Sequence, residues 1–253
     1  NLSTAMADRT PVERWLRYVP IRLLYPRIEQ LVAVSNGVAE DTARIARLPR
    51  ERIQVIRNPV ITPDLALQAA APCPHPWLAP GQPPAIMGVG RLQHQKDFPT
   101  LIRAFAQIRA NRDCRLLILG EGGARARLAS LIAELGLIGS VELPGFQANP
   151  YAWLSRARLL VLASVWEGSP NVLTEALALG VPVVATTCPS GPAEILDGGR
   201  LAPLVKVGDV GALADAMQRM LDQPTPAATL REAVADYEQS RSAERYLQAL
   251  ECH

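Results

Sequence analysis

Two cations stand five positions apart, Arg91 and Lys96, directly after the apolar run AIMGVG at 85–90. An arginine fork and a lysine point charge on one loop can clamp a diphosphate, although the same spacing also suits a solvated surface loop. A second apolar run, RLLILG at 115–120, ends in Glu121-Gly122-Gly123. The glycines permit close backbone approach by a ligand, or simply a tight turn. A third run, RLLVLA at 158–163, leads into SVWEGSPNVLTEALALG. Ser169-Pro170 there reads as a helix start, with Ser as the cap and Pro at the first helical position. The amides of Asn171, Val172 and Leu173 then face whatever lies above, which makes an anion site suited to phosphate. Glu167 precedes this helix and Glu175 lies inside it among apolar neighbours, in a helix expected to be buried nearly all round. A carboxylate in such surroundings needs donors, which a ligand's hydroxyls, an internal arginine or backbone amides could supply.

Other candidates are weaker. Gly191-Pro192-Ala193-Glu194 is helix-start chemistry, with Glu194 placed to reach back to its own cap. His75, His94 and His253 share no metal spacing and no Asp-x-Asp occurs, so neither a metal nor a cofactor is expected. Cys73, Cys114, Cys188 and Cys252 show no C-x-x-C spacing and read as reduced, cytosolic thiols.

The elements that must position these residues follow from periodicity. VELPG at 141–145 and PVVAT at 182–186 add two more apolar runs. Between the runs lie helical stripes: Leu101, Phe105 and Ile108; Leu128, Leu131, Ile132 and Leu135 with Gly136 as the stop; and Leu213, Met217, Met220 and Leu221. Strands apolar throughout and separated by helices predict an α/β fold, a parallel sheet covered on both faces. In such sheets ligands bind beyond the carboxyl ends of the strands, where the loops above all lie. Upstream, LVAVS at 31–35 predicts a strand and the stretch from Ser35 to about Arg47 a helix. RIQVIRNPV at 52–60 predicts a second strand. Residues 1–59 are too few for an independent core and read as the closing part of a preceding domain. Seven of the 22 residues from Pro63 to Pro84 are proline, so 60–84 is expected to be an inter-domain connection. The expected body of the protein is 85–235, with 236–253 a closing helix.

Composition excludes several classes. In 253 residues, 26 Lys+Arg against 24 Asp+Glu leave a net charge of +2, which disfavours nucleic acid as a partner. With 49% hydrophobic residues the chain can bury a core. No apolar run is long enough to span a membrane, and NLSTAMADRT lacks a signal-peptide layout and an initiator Met. Residues 9–27 mix five arginines with Trp15, Leu16, Tyr18, Ile21, Leu23, Leu24 and Tyr25. That pattern fits an anionic membrane surface or a helix packed inside a larger domain.

Together these segments resemble one family. EGSPNVLTEALALG with PVVAT, in which Glu167 and Glu175 are separated by seven residues, is similar to the signature of the family 4 retaining glycosyltransferases of the GT-B fold. GVGRLQHQKDFPTLIRAFA resembles their phosphate-binding segment, and LLILGEGG with VELPGFQANPYAWL their nucleotide loops. VSNGVAEDTARI and IQVIRNPV resemble the end of their N-terminal domain and the hinge, and CPSGPAEIL a bacterial surface-polysaccharide or lipopolysaccharide branch.

The resemblance implies a complete C-terminal Rossmann-like domain preceded by the tail of an N-terminal, acceptor-binding one. Arg91 and Lys96 would bind the diphosphate of a nucleotide-sugar donor, assisted by the Gly168-Ser169-Pro170 turn and the helix start at Asn171, Val172 and Leu173. Glu175 would hold the ribose, Glu167 the donor sugar, and Gly90, Gly120, Glu121 and Gly122 would approach the nucleotide, with the backbone at Phe146 near the base. The implied reaction moves a sugar, from a UDP-sugar by family habit, to a saccharide or lipid-linked acceptor hydroxyl with retained configuration and without a metal. The implied place is the cytoplasm, at the inner face of the membrane. Asn1-Leu2-Ser3 resembles residues just after a catalytic histidine's strand, so this chain is expected to bind donor but transfer it slowly. A phosphorylase would need a pyridoxal phosphate lysine among Lys96 and Lys206; an epimerase would not depend on an acceptor; a sensor would bind without turnover. Arg91→Ala and Lys96→Ala should each weaken nucleotide-sugar binding by about 1.5–3 kcal/mol, as for hydrogen bonds to charged groups. Calorimetry with UDP measures this, and unchanged affinity in both would remove the clamp.

Overall fold

The computed structural model describes residues 10–72 and 75–251. The readings made for Asn1–Ser3, Arg9, Cys73, Cys252 and His253 lie outside the described residues. The chain opens with α1 (Pro11–Leu24), started by a reciprocal cap in which Thr10 and Glu13 each accept from the other's amide. A small βαβ unit follows: β1 (Leu31–Ala33), α2 (Asn36–Ala46) and β2 (Ile53–Val55), the strands parallel. Among the described residues, Leu31, Ala33, Ala39, Ala43 and Ile53 form its small buried cluster. The strand expected over 52–60 is three residues long, because the chain leaves the ladder before Asn58-Pro59.

The stretch 60–84, expected as an inter-domain connection, carries local structure of its own. In the proline-free gap after Pro63 the chain forms α3 (Leu65–Ala70), with Leu65 and Ala69 buried. Asn149 Nδ2 donates to the Gln68 carbonyl at 2.9 Å, and Ser155 Oγ to that of Ala69 at 3.1 Å. His75, read as inert, is a buried strut with Trp77 and Trp153 ring centroids each 5.2 Å away. Its Nδ1 accepts the Trp77 amide at 3.2 Å, so Nε2 carries the proton that meets Glu142, 3.1 Å off. Proline forbids a long helix here, but the apolar and amide contacts between the prolines still fasten the segment to the main sheet.

That sheet has six parallel strands: β3 (Ala85–Val89), β4 (Arg115–Leu119), β5 (Val141–Gly145), β6 (Leu159–Leu162), β7 (Val183–Thr186) and β8 (Leu204–Val205). Their order is β5-β4-β3-β6-β7-β8. β8 escaped the sequence reading because two residues have no period to detect. Alternate residues serve opposite faces. Ile86, Leu116, Ile118, Leu159, Val161 and Val184 pack under α4 (Phe98–Arg109), α5 (Arg125–Glu134) and α9 (Val210–Asp222). Met87, Leu117, Leu119, Leu160, Val183 and Ala185 pack under α6 (Tyr151–Leu154), α7 (Asn171–Ala178) and α10 (Ala227–Ala233). Both faces being covered is why the strands are apolar throughout. α8 (Pro192–Ile195) is a single turn. The chain then straps back: Ile61 and Gln239 bridge through backbone bonds, and Ser242 Oγ on α11 (Gln239–Glu251) donates to the Arg57 carbonyl at 2.8 Å.

Candidate active site

The strand order reverses between β3 and β6, which leaves a crevice beyond their carboxyl ends. The loops after these two strands therefore meet. The Val165 amide donates to the Gln95 carbonyl at 2.8 Å, and Gln95 Nε2 to the Trp166 carbonyl at 3.0 Å. This contact brings Lys96 Nζ to 2.5 Å from Glu167 Oε1, which also accepts from Ser164 Oγ at 2.7 Å. The side chains are 16% and 8% exposed. Removing one partner would strand a buried charge, at about 3–5 kcal/mol. Lys96→Ala thus carries a stability cost that the exposed Arg91 does not, and Arg91 is the cleaner probe of phosphate binding.

Beside this pair a cavity of about 430 Å³ is lined by Val89, Gly90, Arg91, Leu119, Gly120, Glu121, Phe146, Gln147 and Pro150. Five of the sequence-selected residues therefore share one cavity. Phe146 is 76% exposed, so its ring and not only its backbone is available. Glu121 is held by Arg125 at 2.9 Å. Two glycines also pack tightly against the neighbouring loop. A Cβ at Gly120 would lie 2.0 Å from the Gly90 carbonyl oxygen, and one at Gly122 would lie 2.5 Å from that of Leu92. Their bareness lets the neighbouring loop's backbone approach, and through it shapes the wall of the cavity.

The α7 start is corrected in detail. Pro170 is the cap, with ψ at 98°, and makes no side-chain cap bond, so Ser169 does not cap and the helix begins at Asn171. The turn packs closely against Gly191, where an added Cβ would lie 2.6 Å from Pro170 Cδ. The Leu173 amide is spent on the Pro170 carbonyl at 3.0 Å. The amides of Asn171 and Val172 precede the helix's own ladder and keep the anion-site geometry. Nor is α7 buried all round. Leu173, Thr174, Ala176 and Leu177 face the sheet, while Asn171 is exposed and Glu175 only half-buried. Glu175 Oε1 accepts from Tyr151 Oη at 3.3 Å. Burial pushes its carboxyl above the usual range, and the Tyr151 hydrogen bond works against that without overcoming it.

Glu194 does not reach back to its own helix. Its carboxylate accepts from the amides of Asn36 (2.9 Å) and Gly37 (2.8 Å) and from Arg57 (2.8 Å). Burial alone would raise its pKa, but the Gly37 and Asn36 amides and Arg57 outweigh burial and hold it low. Cys188 is buried beside Thr186, and burial pushes its thiol up to about 11, an inert state.

The family model described as glycosyl transferases group 1 matches residues 83–223, which contain every one of these loops. The chain belongs to that family. The lipopolysaccharide core biosynthesis glycosyltransferase LpsE of Rhizobium meliloti is 30% identical over 238 residues, covering 91% of this chain and 67% of that protein. The N-acetylgalactosamine-N,N'-diacetylbacillosaminyl-diphospho-undecaprenol 4-alpha-N-acetylgalactosaminyltransferase of Campylobacter jejuni is 32% identical over 202 residues, 80% of this chain and 53% of its own length. The chain thus spans about half to two thirds of the length of these relatives. Among solved structures, a glycosyltransferase from Rickettsia africae superposes with a TM-score of 0.79 at 19% identity, covering 89% of this chain and 64% of that one. Anabaena HepE, solved in complex with UDP, gives 0.72 at 22%, covering 88% and 63%. The fold is α/β and of the GT-B type.

For this group 1 glycosyltransferase the structure adds three residues that sequence reasoning passed over. Gln147 and Pro150 line the cavity and Tyr151 holds Glu175. All three stand in the quoted segment VELPGFQANPYAWL, but nothing in its pattern says which side chains turn inward. Because the folded-state pKa of Glu175 lies above the unfolded value near 4.5, its stability contribution is whole below that value and is lost as pH rises through the folded one. Glu175→Gln should therefore raise the melting midpoint of the ligand-free chain at neutral pH, with the gain fading as pH falls toward 4.5. Thermal melts at several pH values measure this, and a loss of stability at neutral pH would count against the burial account.

Proposed function

We propose that this chain carries the donor site of a retaining glycosyltransferase, which moves a sugar from a UDP-sugar to an acceptor hydroxyl in polysaccharide or lipopolysaccharide synthesis. The observation that carries this reading is the cavity beyond the carboxyl ends of β3, β4 and β5. It joins an exposed aromatic ring, Phe146, to Arg91, and Tyr151, which follows the lining residue Pro150, donates to the carboxylate of Glu175. Phe146 and Gln147 suit a base, Glu175 the ribose hydroxyls, and Arg91 the diphosphate. Lys96 and the Asn171 and Val172 amides would meet the charge that develops on the departing diphosphate, so that no metal is needed. Glu167, held by Lys96 and Ser164, would contact hydroxyls of the donor sugar. The uridine assignment is supported by HepE, which was solved with UDP-glucose as well as UDP.

The acceptor would be a saccharide or a lipid-linked saccharide, the kind named for the Campylobacter relative, and peripheral membrane contact would follow. α1 supports that reading. Val12, Trp15, Leu16, Leu23 and Leu24 are each more than half exposed, beside Arg14, Arg17 and Arg22. No described helix is long and apolar enough to cross a membrane.

Glu175→Gln should cost more affinity for UDP than for 2'-deoxy-UDP, and EDTA should leave UDP affinity unchanged. Equal losses for both nucleotides would make Glu175 a structural acid, and an EDTA effect would restore a metal to the site. Sedimentation with anionic vesicles should pull the chain down in a salt-sensitive way; a chain left in the supernatant would remove the membrane contact.

A further inference from the structure

Glu194 is a polar group that the donor reading leaves without a use, and its contacts are too many for a chance surface pairing. Asn36 and Gly37 are the first two residues of α2, so their amides have no partners in that helix's ladder. The Glu194 carboxylate takes both, with Asn36 Nδ2 at 3.2 Å and Arg57 at 2.8 Å as further donors. It therefore caps a helix 157 residues away in sequence instead of its own.

Two further ties cross beside it. Ser35, the α2 cap, is fully buried; its Oγ accepts the Val38 amide at 3.2 Å and donates to the Gly168 carbonyl at 2.9 Å. Asn58 Nδ2 donates to Asn171 Oδ1 at 2.8 Å. Steric fit is as tight as the polar one: a Cβ on Gly37 would lie 2.5 Å from Ser190 Oγ and 3.1 Å from Ser190 Cα. Every tie lands on the loop that runs from Glu167 to Asn171 or on the Ser190–Glu194 turn beside it. Gly168 follows Glu167 directly, and Asn171 opens α7.

We propose that Glu194 is a positioning residue for the donor site: by docking the start of α2 against the Ser190–Glu194 turn, it lets Ser35 and Asn58 fix the Glu167–Asn171 loop from the small βαβ unit. The positioning rests on reading that loop as part of the donor site. Its consequence is that the anion-facing start of α7 is not set by the six-stranded sheet alone. A change at α2, on the other side of the junction, is felt at the diphosphate.

Two variants test this from opposite sides. Glu194→Gln removes the charge that gathers the α2 amides and Arg57. Gly37→Ala leaves all charges in place and would favour an isolated helix, but forces Ser190 away. Amide spectra of the isotope-labelled chain should show the Gly168 and Asn171 resonances shifted in both variants. Signals from Leu117 and Leu160 in the sheet core, unmoved, show that the variants are folded. Calorimetry with UDP should show affinity weakened by roughly 3- to 30-fold, the span of coupling between connected segments. Gly168 and Asn171 resonances that stay in place in both folded variants would overturn the proposal, as would shifted resonances with unchanged UDP affinity. A wild-type chain that fails to bind UDP would overturn the donor reading instead, and the resonances would still decide the coupling.

Discussion

A lysine and a glutamate in contact at 2.5 Å beneath the surface join the two halves of the sheet's carboxyl edge. One comes from the loop after β3 and the other from the loop after β6, the two strands between which the order reverses. Each charge would be expensive to bury alone, and each is affordable only because the other is there. The pair therefore dictates where both loops sit. It places Arg91, a few residues before Lys96, at the mouth of the cavity, and sets Gly168 and the α7 start directly after Glu167. On the donor-site reading proposed above, phosphates would meet a Lys96 that is already fixed by Glu167.

Glu175 and Glu194 show how donors decide the state of a part-buried carboxylate. Glu175 lies half-buried on α7 with one phenolic donor from Tyr151, and burial keeps its carboxyl reluctant to ionise. On the donor-site reading proposed above, a pair of ligand hydroxyls would supply the donors that this carboxylate needs. Glu194 is the opposite case. Four donors surround it and hold it ionised, as suits a residue that joins parts of the fold. Two part-buried glutamates thus shift in opposite directions, the more buried one with a single donor upward and the one with four donors downward.

Period and composition, read in sequence, determined the sheet. The five longer strands, apolar throughout, and the helical stripes between them could be buried only as a parallel sheet with both faces covered. The strand ends then pointed to Arg91, Glu121 and the Glu167–Glu175 segment. Segments with strong local rules were placed correctly: the helix opening near Ser35, and Gly136 as a stop. What lay beyond reach was every feature set by a partner distant in sequence. Ser169-Pro170 has the right local chemistry for a helix start, yet the helix begins one residue later, at Asn171, where the turn packs against Gly191. Glu194 has the right spacing for its own cap, yet the α2 amides are better placed. Gly120 and Gly122 announce a close approach, but only the folded chain shows that the approaching group is the next loop's backbone. Local propensity amounts to a few tenths to one kcal/mol per residue, whereas a steric clash or an unpaired buried charge costs several. The tertiary structure decides wherever the two compete, and in this protein they compete around the site.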